Sequence, residues 1–186
     1  MTVAGVTGVI LAGGRGARFG GQDKGWVDYR GRPLIEQVLA RFAPQVEAVM
    51  ISANRNLAAY RALGLPVVSD SPEFGAFAGP LIGILAALRA LRGGWLAVVP
   101  CDAPALPTDL VRRLRMPQRA AVAVADGRLQ PLFCLLPATC ASDLVDYLSE
   151  GKRRADAWLQ RIAAVPVAFE DAAAFANVNT PQDLAA

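Results

Sequence analysis

A glycine-rich segment with basic residues occupies positions 11–25 of the sequence. It reads Leu11-Ala12-Gly13-Gly14-Arg15-Gly16-Ala17-Arg18-Phe19-Gly20-Gly21-Gln22-Asp23-Lys24-Gly25. Glycine lets the backbone turn its amide groups toward an anion, and Arg15, Arg18 and Lys24 supply positive charge. The segment predicts a loop that wraps a triphosphate, although a flexible glycine loop with solvated arginines fits the same spacing.

Two well-known nucleotide-binding motifs do not fit this segment. The lysine of the Walker motif follows a glycine and precedes Ser or Thr, whereas Lys24 lies between Asp23 and Gly25. The third glycine of the dinucleotide-binding motif is also missing, because its position holds Phe19. We therefore expect a triphosphate loop of another kind, and a dehydrogenase of the dinucleotide-binding class is disfavoured.

Two aspartates follow apolar, strand-like runs. Asp70 comes after Val67-Val68-Ser69, and Asp102 comes after Val98-Val99-Pro100-Cys101. A carboxylate at a strand end suits Mg²⁺, which needs only one or two protein carboxylates besides substrate phosphates. Each aspartate also has a structural interpretation, as a helix cap or turn residue beside proline. We predict that Asp102 binds Mg²⁺, and Asp70 stays open between the two roles.

The side chains available for chemistry are limited by composition. The chain has no histidine, so the commonest general base and metal ligand at neutral pH is absent. Its three cysteines, Cys101, Cys134 and Cys140, form no Cys-x-x-Cys pair. We predict that they are buried free thiols. The chemistry then depends on carboxylates, Lys, Arg and backbone dipoles.

The charge and hydropathy patterns narrow the class of partner. The net charge is +3, with basic residues scattered along the chain. This favours small anionic substrates such as phosphates over nucleic acid. No apolar run reaches the ~18 residues of a membrane span, and the N-terminal residues lack the pattern of a secretory signal. We expect a cytoplasmic protein with neither a nucleic-acid nor a membrane partner.

Apolar runs alternate with helical patterns in the first half of the chain. The patterns predict strands at 3–11, 48–51, 66–69 and 95–99, and helices at 33–42, 57–63 and 80–91. This alternation is typical of an α/β fold with a doubly wound, mostly parallel sheet and helices on both faces. Ligands bind beyond the carboxyl ends of such strands. Polar residues or glycines follow each predicted strand: Gly13-Gly14, Ser52 with Asn54, Asp70 and Asp102.

The second half of the chain is less regular. Strands are predicted at 121–124 and 132–135, on either side of a turn at Asp126-Gly127. Helices are predicted at 139–149 and 152–161, then a strand at 165–169 and a short helix that begins at Thr180-Pro181. No repeat or linker interrupts the sequence, so we predict a single domain over residues 1–186.

Short motifs spread over almost the whole chain carry a family resemblance. The first segment contributes Leu11-Ala12-Gly13-Gly14, Arg18, Gly20-Gly21 and Asp23-Lys24-Gly25. In order there follow Gly31-Arg32-Pro33-Leu34, Ala53-Asn54-Arg55, Gly79-Pro80-Leu81, Pro100-Cys101-Asp102-Ala103-Pro104, Gly151-Lys152-Arg153-Arg154 and Asn177-Val178-Asn179-Thr180-Pro181. This series resembles the signature of the molybdenum cofactor guanylyltransferases, within the nucleotidyltransferase superfamily and its Rossmann-like fold.

The resemblance implies a magnesium-dependent enzyme that transfers GMP from GTP to the terminal phosphate of molybdopterin and releases pyrophosphate. Its partners would be GTP and molybdopterin or molybdenum cofactor, with molybdoenzyme-specific chaperones as further candidates. It implies catalytic roles for Lys24, Asp102 and Arg18, and Mg²⁺ on Asp102. Nucleotide contacts would come from Leu11, Ala12, Gly13, Gly14, Lys24, Asn54, Asp70 and Asp102. Members often carry Asn where this chain has Ser52, which leaves open whether Ser52 or Asn54 contacts the nucleotide.

A second basic cluster, Lys152-Arg153-Arg154, lies far in sequence from the triphosphate loop. We predict that it holds the anionic pterin, and a solvated helix start is the alternative. Asn177 and Asn179 either share that role or cap the helix at Thr180-Pro181.

Other functions are compatible with the same residues. The chain could be a cytidylyltransferase for the same cofactor or a nucleotidyltransferase for another metabolite phosphate. From a different class, it could be a non-catalytic GTP-binding chaperone for the cofactor.

Overall fold

A seven-stranded sheet lies at the centre of the computed structural model, which describes residues 2–14, 22–75 and 79–184. In chain order the strands are β1 (Val3–Leu11), β2 (Asp28–Tyr29), β3 (Arg32–Pro33), β4 (Val46–Ser52), β5 (Val67–Val68), β6 (Trp95–Pro100), β7 (Ala121–Ala125), β8 (Arg128–Pro137) and β9 (Val165–Phe169). The sheet order is β5-β4-β1-β6-β8-β7-β9, and only the pairs that involve β8 are antiparallel. Strands β2 and β3 form a separate antiparallel pair.

Helices connect most of these strands. They are α1 (Leu34–Phe42), α2 (Leu57–Arg61), α3 (Pro80–Ala90), α4 (Leu110–Arg115), α5 (Cys140–Ser149) and α6 (Ala155–Arg161). Short 3₁₀ helices occur at Lys24–Trp26, Ala43–Gln45, Pro72–Phe74, Ala172–Phe175 and Pro181–Leu184.

The alternation of side chains along β1 divides the core between the two faces of the sheet. Val6 and Ile10 lie in one buried cluster, which includes residues of α1 and α4. Val9 lies in a second cluster, formed with residues of α3, α5 and α6. Both faces are therefore covered by helices, as a mostly parallel sheet requires.

Close contact between β1 and α1 depends on Gly8. A methyl group at Gly8 would overlap Phe42 Cε1 and lie 2.8 Å from Phe42 Cζ. Phe42 is fully buried, so its ring has little room to move aside. The absence of a side chain at this strand position lets the helix lie flat on the sheet.

The predicted α/β class and mostly parallel sheet are confirmed. The hairpin around Asp126-Gly127 is also present, although its second strand extends to residues 128–137. The strand predicted at 66–69 is reduced to two residues, and α2 ends at Arg61 because residues 62–64 form a turn.

Three further features differ from the predictions. Helix α4 and the β2–β3 pair were not predicted, because both are shorter than the windows over which periodicity is visible. Helix α6 begins at Ala155, not at residue 152, since Arg154 has the extended backbone angles of a cap position. Within the described ranges, no helix has the length and apolar character that a membrane crossing requires.

Candidate active site

The carboxyl ends of three parallel strands are level with one another. Leu11 is paired with Ser52 on β4 and with Pro100 on β6. Past the ends of the strands, Ala12 N donates to Ser52 O at 2.8 Å and Cys101 N donates to Leu11 O at 3.1 Å. The segments that follow β1, β4 and β6 therefore leave the sheet side by side at one edge.

A cavity of about 280 Å³ opens at this edge. Its lining residues are Leu11, Ala12, Gly13, Gly14, Lys24, Ser52, Asn54, Asp70, Gly79, Pro80, Gly83, Pro100, Cys101, Asp102 and Leu132. Ser52 and all the residues for which the resemblance implies a nucleotide contact are in this set, so the fold brings together residues up to 91 positions apart in sequence. Arg15 and Arg18, the remaining basic residues of the triphosphate loop, lie outside the described residues.

Lys24 and Asp102 meet across this cavity. Lys24 Nζ donates to Asp102 Oδ2 in an ion pair, and also to Asn179 Oδ1 at 2.8 Å. The side chains of Lys24 and Asp102 are only 20% and 13% exposed. Because water is largely excluded there, the charges act on a bound group with little screening.

The second oxygen of the Asp102 carboxylate, Oδ1, is buried and has no hydrogen-bond partner among the described residues. A buried acceptor without a partner costs free energy, so this atom is suited to a cation. The part of the chain that the structure describes holds no group of three or more potential metal ligands. A metal here would take one protein carboxylate and complete its shell from substrate phosphates, which matches the habit of Mg²⁺.

Asn54 and Asp70 form a reciprocal pair on another side of the cavity. Asn54 Nδ2 donates to Asp70 Oδ2 at 2.7 Å, and Asp70 N donates to Asn54 Oδ1 at 2.9 Å. Burial raises the pKa of the Asp70 carboxyl above 3.8, and the hydrogen bond from Asn54 acts in the opposite direction. The pair fixes both side chains on the cavity wall.

Ser52 also faces the cavity, close to Gly83 in α3. Ser52 is 2% exposed, and a methyl group at Gly83 would overlap its Oγ. Both the nitrogen and the oxygen of the Asn54 side-chain amide already form hydrogen bonds with Asp70. Ser52 is therefore a candidate for the nucleotide contact as well as Asn54.

The basic cluster at 152–154 is not among the residues that line the cavity, and its charged groups have local partners. Lys152 pairs with Glu150, and Arg154 pairs with Asp156 at 2.6 Å. Arg153 donates to Leu148 O at 2.8 Å, at the end of α5. The backbone of this segment comes near the cavity, because a methyl group at Gly79 would lie 4.0 Å from Arg153 O.

The C-terminal asparagines do not cap the last helix. Asn179 contacts Lys24, and Asn177 is exposed. Thr180 and Asp183 form a reciprocal cap: Thr180 Oγ1 accepts from Asp183 N at 3.4 Å, and Asp183 Oδ2 accepts from Asn179 N at 2.7 Å and Thr180 N at 2.8 Å. These backbone donors lower the pKa of Asp183. The capping interpretation of the asparagines was wrong, because Thr180 directly precedes the helix and its hydroxyl accepts from the amide inside the first turn.

Residues 8–165 match the MobA-like NTP transferase domain. The chain belongs to the MobA-like NTP transferase family. Relatives cover nearly all of its length. A protein of Cupriavidus metallidurans named molybdenum cofactor guanylyltransferase is 50% identical over 190 residues, which span 96% of this chain and 92% of the relative. A Bordetella petrii protein of the same name is 47% identical, over 96% of this chain and 95% of the relative.

Solved structures share the fold of this MobA-like transferase. Molybdopterin-guanine dinucleotide biosynthesis protein A from Archaeoglobus fulgidus superposes with a TM-score of 0.76 at 24% identity, covering 96% of this chain and 95% of the other. A 2-C-methyl-D-erythritol 4-phosphate cytidylyltransferase from Thermus thermophilus gives 0.71 at 19% identity, covering 100% and 96%. At these identities the likeness shows the fold, and it confirms the predicted nucleotidyltransferase architecture.

Several site residues of this MobA-like transferase were not predicted. Gly83 and Leu132 line the cavity but stand inside an apolar helix and an apolar strand, where no local signal marks them. Cys101 also lines it, and burial raises the pKa of its thiol, which stays neutral. The three cysteines are free, as predicted; Cys101 and Cys134 are buried and Cys140 is half-buried.

Proposed function

We propose that the chain transfers GMP from GTP to the terminal phosphate of molybdopterin and releases pyrophosphate. The observation that carries this proposal is the cavity at the strand ends, where Lys24, Asp102 and the Asn54–Asp70 pair surround one space. The names of the relatives at 47–50% identity support the choice of substrates.

The reaction balances without a general base. A phosphate oxygen of molybdopterin forms a bond to the α-phosphorus of GTP, and the bond from that phosphorus to the β-bridging oxygen breaks. The bond electrons leave with pyrophosphate. Since the attacking oxygen is already anionic, no proton has to be removed, which suits a chain with no histidine.

Lys24 is placed to stabilise the charge that builds up on the leaving pyrophosphate. Its ammonium is held by Asp102 and by Asn179 at 2.8 Å, so its position is fixed before the substrate arrives. Preorganised charge of this kind is the main source of catalysis in phosphoryl-type transfers. Arg18 is proposed to act on the same phosphates.

Asp102 is proposed to hold Mg²⁺ through its buried Oδ1. The ion, when bound with the nucleotide, supplies positive charge at the phosphates and helps to align the two substrates. The carboxylate itself is oriented from two sides, because Lys24 pairs with Oδ2 and Val178 N donates to the backbone oxygen of Asp102 at 2.8 Å.

The Asn54–Asp70 pair and Ser52 are proposed to hold the guanosine part of GTP. They line the cavity on the β4 and β5 side, away from Lys24 in the chain. For the pterin, Asn177, Asn179 and the 152–154 segment stay the candidates. Asn179 has the stronger support of these, since it contacts the phosphate-binding lysine directly.

The test is the rate of pyrophosphate release with molybdopterin, Mg²⁺ and each of GTP, CTP, ATP and UTP. We expect turnover with GTP and a rate at least about a hundredfold lower with the others, because a hydrogen-bonded base pocket rejects the wrong edge strongly. Preference for CTP would identify a cytidylyltransferase. GTP binding without pyrophosphate release would identify a non-catalytic carrier.

A further inference from the structure

Asp23, directly before Lys24 in the chain, is a buried carboxylate with no role in the chemistry described above. Only 4% of its surface is exposed. Its two oxygens bind different parts of the molecule. Oδ1 accepts from Gly25 N at 3.2 Å and from the Tyr60 hydroxyl at 2.7 Å. Oδ2 accepts from Asn56 Nδ2 at 3.0 Å and lies 3.8 Å from Arg55 Nε.

The Oδ1 contacts fix the turn that carries Lys24. Asp23 caps the 3₁₀ helix Lys24–Trp26 through Gly25 N, and its backbone oxygen accepts from Trp26 N at 3.0 Å. Gly25 must be small here, because a methyl group would overlap the Tyr60 hydroxyl. Burial and the neighbouring Asp23 raise the pKa of Tyr60, so its hydroxyl stays a donor.

The Oδ2 contacts reach the segment that follows β4. Arg55 and Asn56 come directly after Asn54, which lines the cavity and is bonded to Asp70. Arg55 also donates to Gln22 O at 2.9 Å, on the same side as Asp23. One carboxylate thus joins the turn that carries the phosphate-binding lysine to the loop that carries the nucleoside-binding asparagine.

Burying a carboxylate is costly unless every lone pair is satisfied. A turn that needed only an N-terminal cap could use an exposed Ser, Thr or Asp. The buried position of Asp23 adds a link between two loops, which an exposed cap would not provide.

We propose that Asp23 is a positioning residue that holds Lys24 in register with the nucleoside-binding loop, so that both engage one GTP molecule. The inference rests on the proposed function. It assigns Asp23 no contact with substrate; its effect on turnover passes through Lys24.

The test is a double-mutant cycle in the full-length protein with Asp23→Asn and Lys24→Ala. Asn keeps an oxygen for Gly25 and Tyr60 but turns an amide donor toward Asn56 and Arg55, which breaks the link and spares the turn. We expect Asp23→Asn alone to lower kcat by about tenfold to a hundredfold, since a misplacement of ~1 Å has effects of that size. In the Lys24→Ala background the same change should cost less than about twofold.

A second cycle uses the dissociation constant of Mg²⁺-GTP for the same four proteins, so the test does not depend on residual turnover. The matched control is Asp28→Asn, an exposed aspartate that accepts from Gly31 N at 3.0 Å, and we expect wild-type values. If Asp23→Asn does not fold, Tyr60→Phe removes one Oδ1 donor without a change of charge. We expect Tyr60→Phe to weaken binding and turnover less than Asp23→Asn does, and only in proteins that keep Lys24.

Equal fold-losses in both backgrounds would show that Asp23 merely supports the fold and would overturn the positioning role. That outcome differs from a failure of the proposed function. In the latter case the wild-type protein itself would neither bind GTP nor release pyrophosphate, whatever residue stood at position 23.

Discussion

At the scale of single residues, the two oxygens of Asp102 have different environments. Oδ2 is paired with Lys24, whereas Oδ1 is buried and has no hydrogen-bond partner among the described residues. A carboxylate used only for structure would have both oxygens satisfied in a buried position. The asymmetry supports the proposed cation on Oδ1, beside the Lys24 ammonium on Oδ2.

Substitution of either residue should remove turnover and leave the fold intact. We expect Asp102→Asn and Lys24→Ala each to lower kcat about 10²- to 10³-fold at saturating Mg²⁺, as the loss of one preorganised charge does in other enzymes. The measurement is the initial rate of pyrophosphate release, with circular dichroism to check folding. Asp109→Asn, which breaks an exposed ion pair with Arg112, is the control and should behave as wild type. Near wild-type rates for Asp102→Asn would refute the metal assignment.

The raised pKa of Asp70 makes a prediction about stability and pH. Burial raises the pKa of this carboxyl above 3.8 in the folded protein, so the folded state binds a proton more tightly than the unfolded chain. The Asp70 contribution to the free energy of unfolding should therefore fall as the pH rises from about 3.8 through the folded pKa, and then stay constant. Urea titrations of wild type and Asp70→Asn between acid and neutral pH measure the difference, and a difference that grows with pH would contradict the direction of the shift.

At the scale of elements, the site follows from where parallel strands end. Strands β1, β4 and β6 were predicted because each is a continuous apolar run followed by glycine or polar residues, and their level ends put those residues at one edge. Helix α4 was missed since its buried residues, Leu110, Val111 and Leu114, alternate with arginines within a single short helix. Local periodicity finds buried strands better than short amphipathic helices.

The contacts between distant elements could not be predicted from local patterns. Asn179 accepts a hydrogen bond from Lys24 although 155 sequence positions separate the two residues. The residues next to either one do not indicate this contact. The role of Asp23 could not be predicted from its neighbours in sequence, because its burial depends on Tyr60, which α2 presents 37 positions later. Sequence patterns and the family resemblance predicted many of the residues that line the cavity; the pairs they form depend on tertiary packing.

The contact between β1 and α1 can be tested apart from the site. Gly8→Ala should lower the free energy of unfolding by about 1–3 kcal/mol, as overpacking of a close-packed core does, because the methyl group overlaps the buried Phe42 ring. Urea denaturation measures the change, and Phe42→Leu in the same chain should recover part of it. A Gly8→Ala protein as stable as wild type would show that the helix lies less tightly on the strand.

At the scale of the whole molecule, the C-terminal segment completes a site that begins at the N-terminal strand. Val178 N donates to Asp102 O, and Asn179 accepts from Lys24. The segment after the first strand, the residues after β6 and residues 178–179 thus meet at one edge of the sheet. A ligand bound there would contact segments from distant parts of the chain, so it should raise the free energy of unfolding of the whole protein.

Mg²⁺ and GTP should therefore raise stability together. A ligand at a hundred times its dissociation constant adds ~2.7 kcal/mol to the free energy of unfolding. We expect GTP with Mg²⁺ to raise the melting temperature of the wild-type protein, and EDTA to remove most of that increase. In Asp102→Asn the increase should be the same with and without EDTA. An EDTA-insensitive increase in the wild type would show that GTP binds without the metal and would contradict the proposed Mg²⁺ site.

The most direct measurement is the anomalous X-ray scattering of Mn²⁺, used in place of Mg²⁺, in crystals grown with a non-hydrolysable GTP analogue. The metal peak should lie within coordination distance of Asp102 Oδ1 and of the analogue's phosphates, with Lys24 Nζ against the same phosphates. A peak on another face of the molecule, or an analogue whose phosphates lie away from Lys24 and Asp102, would contradict the account.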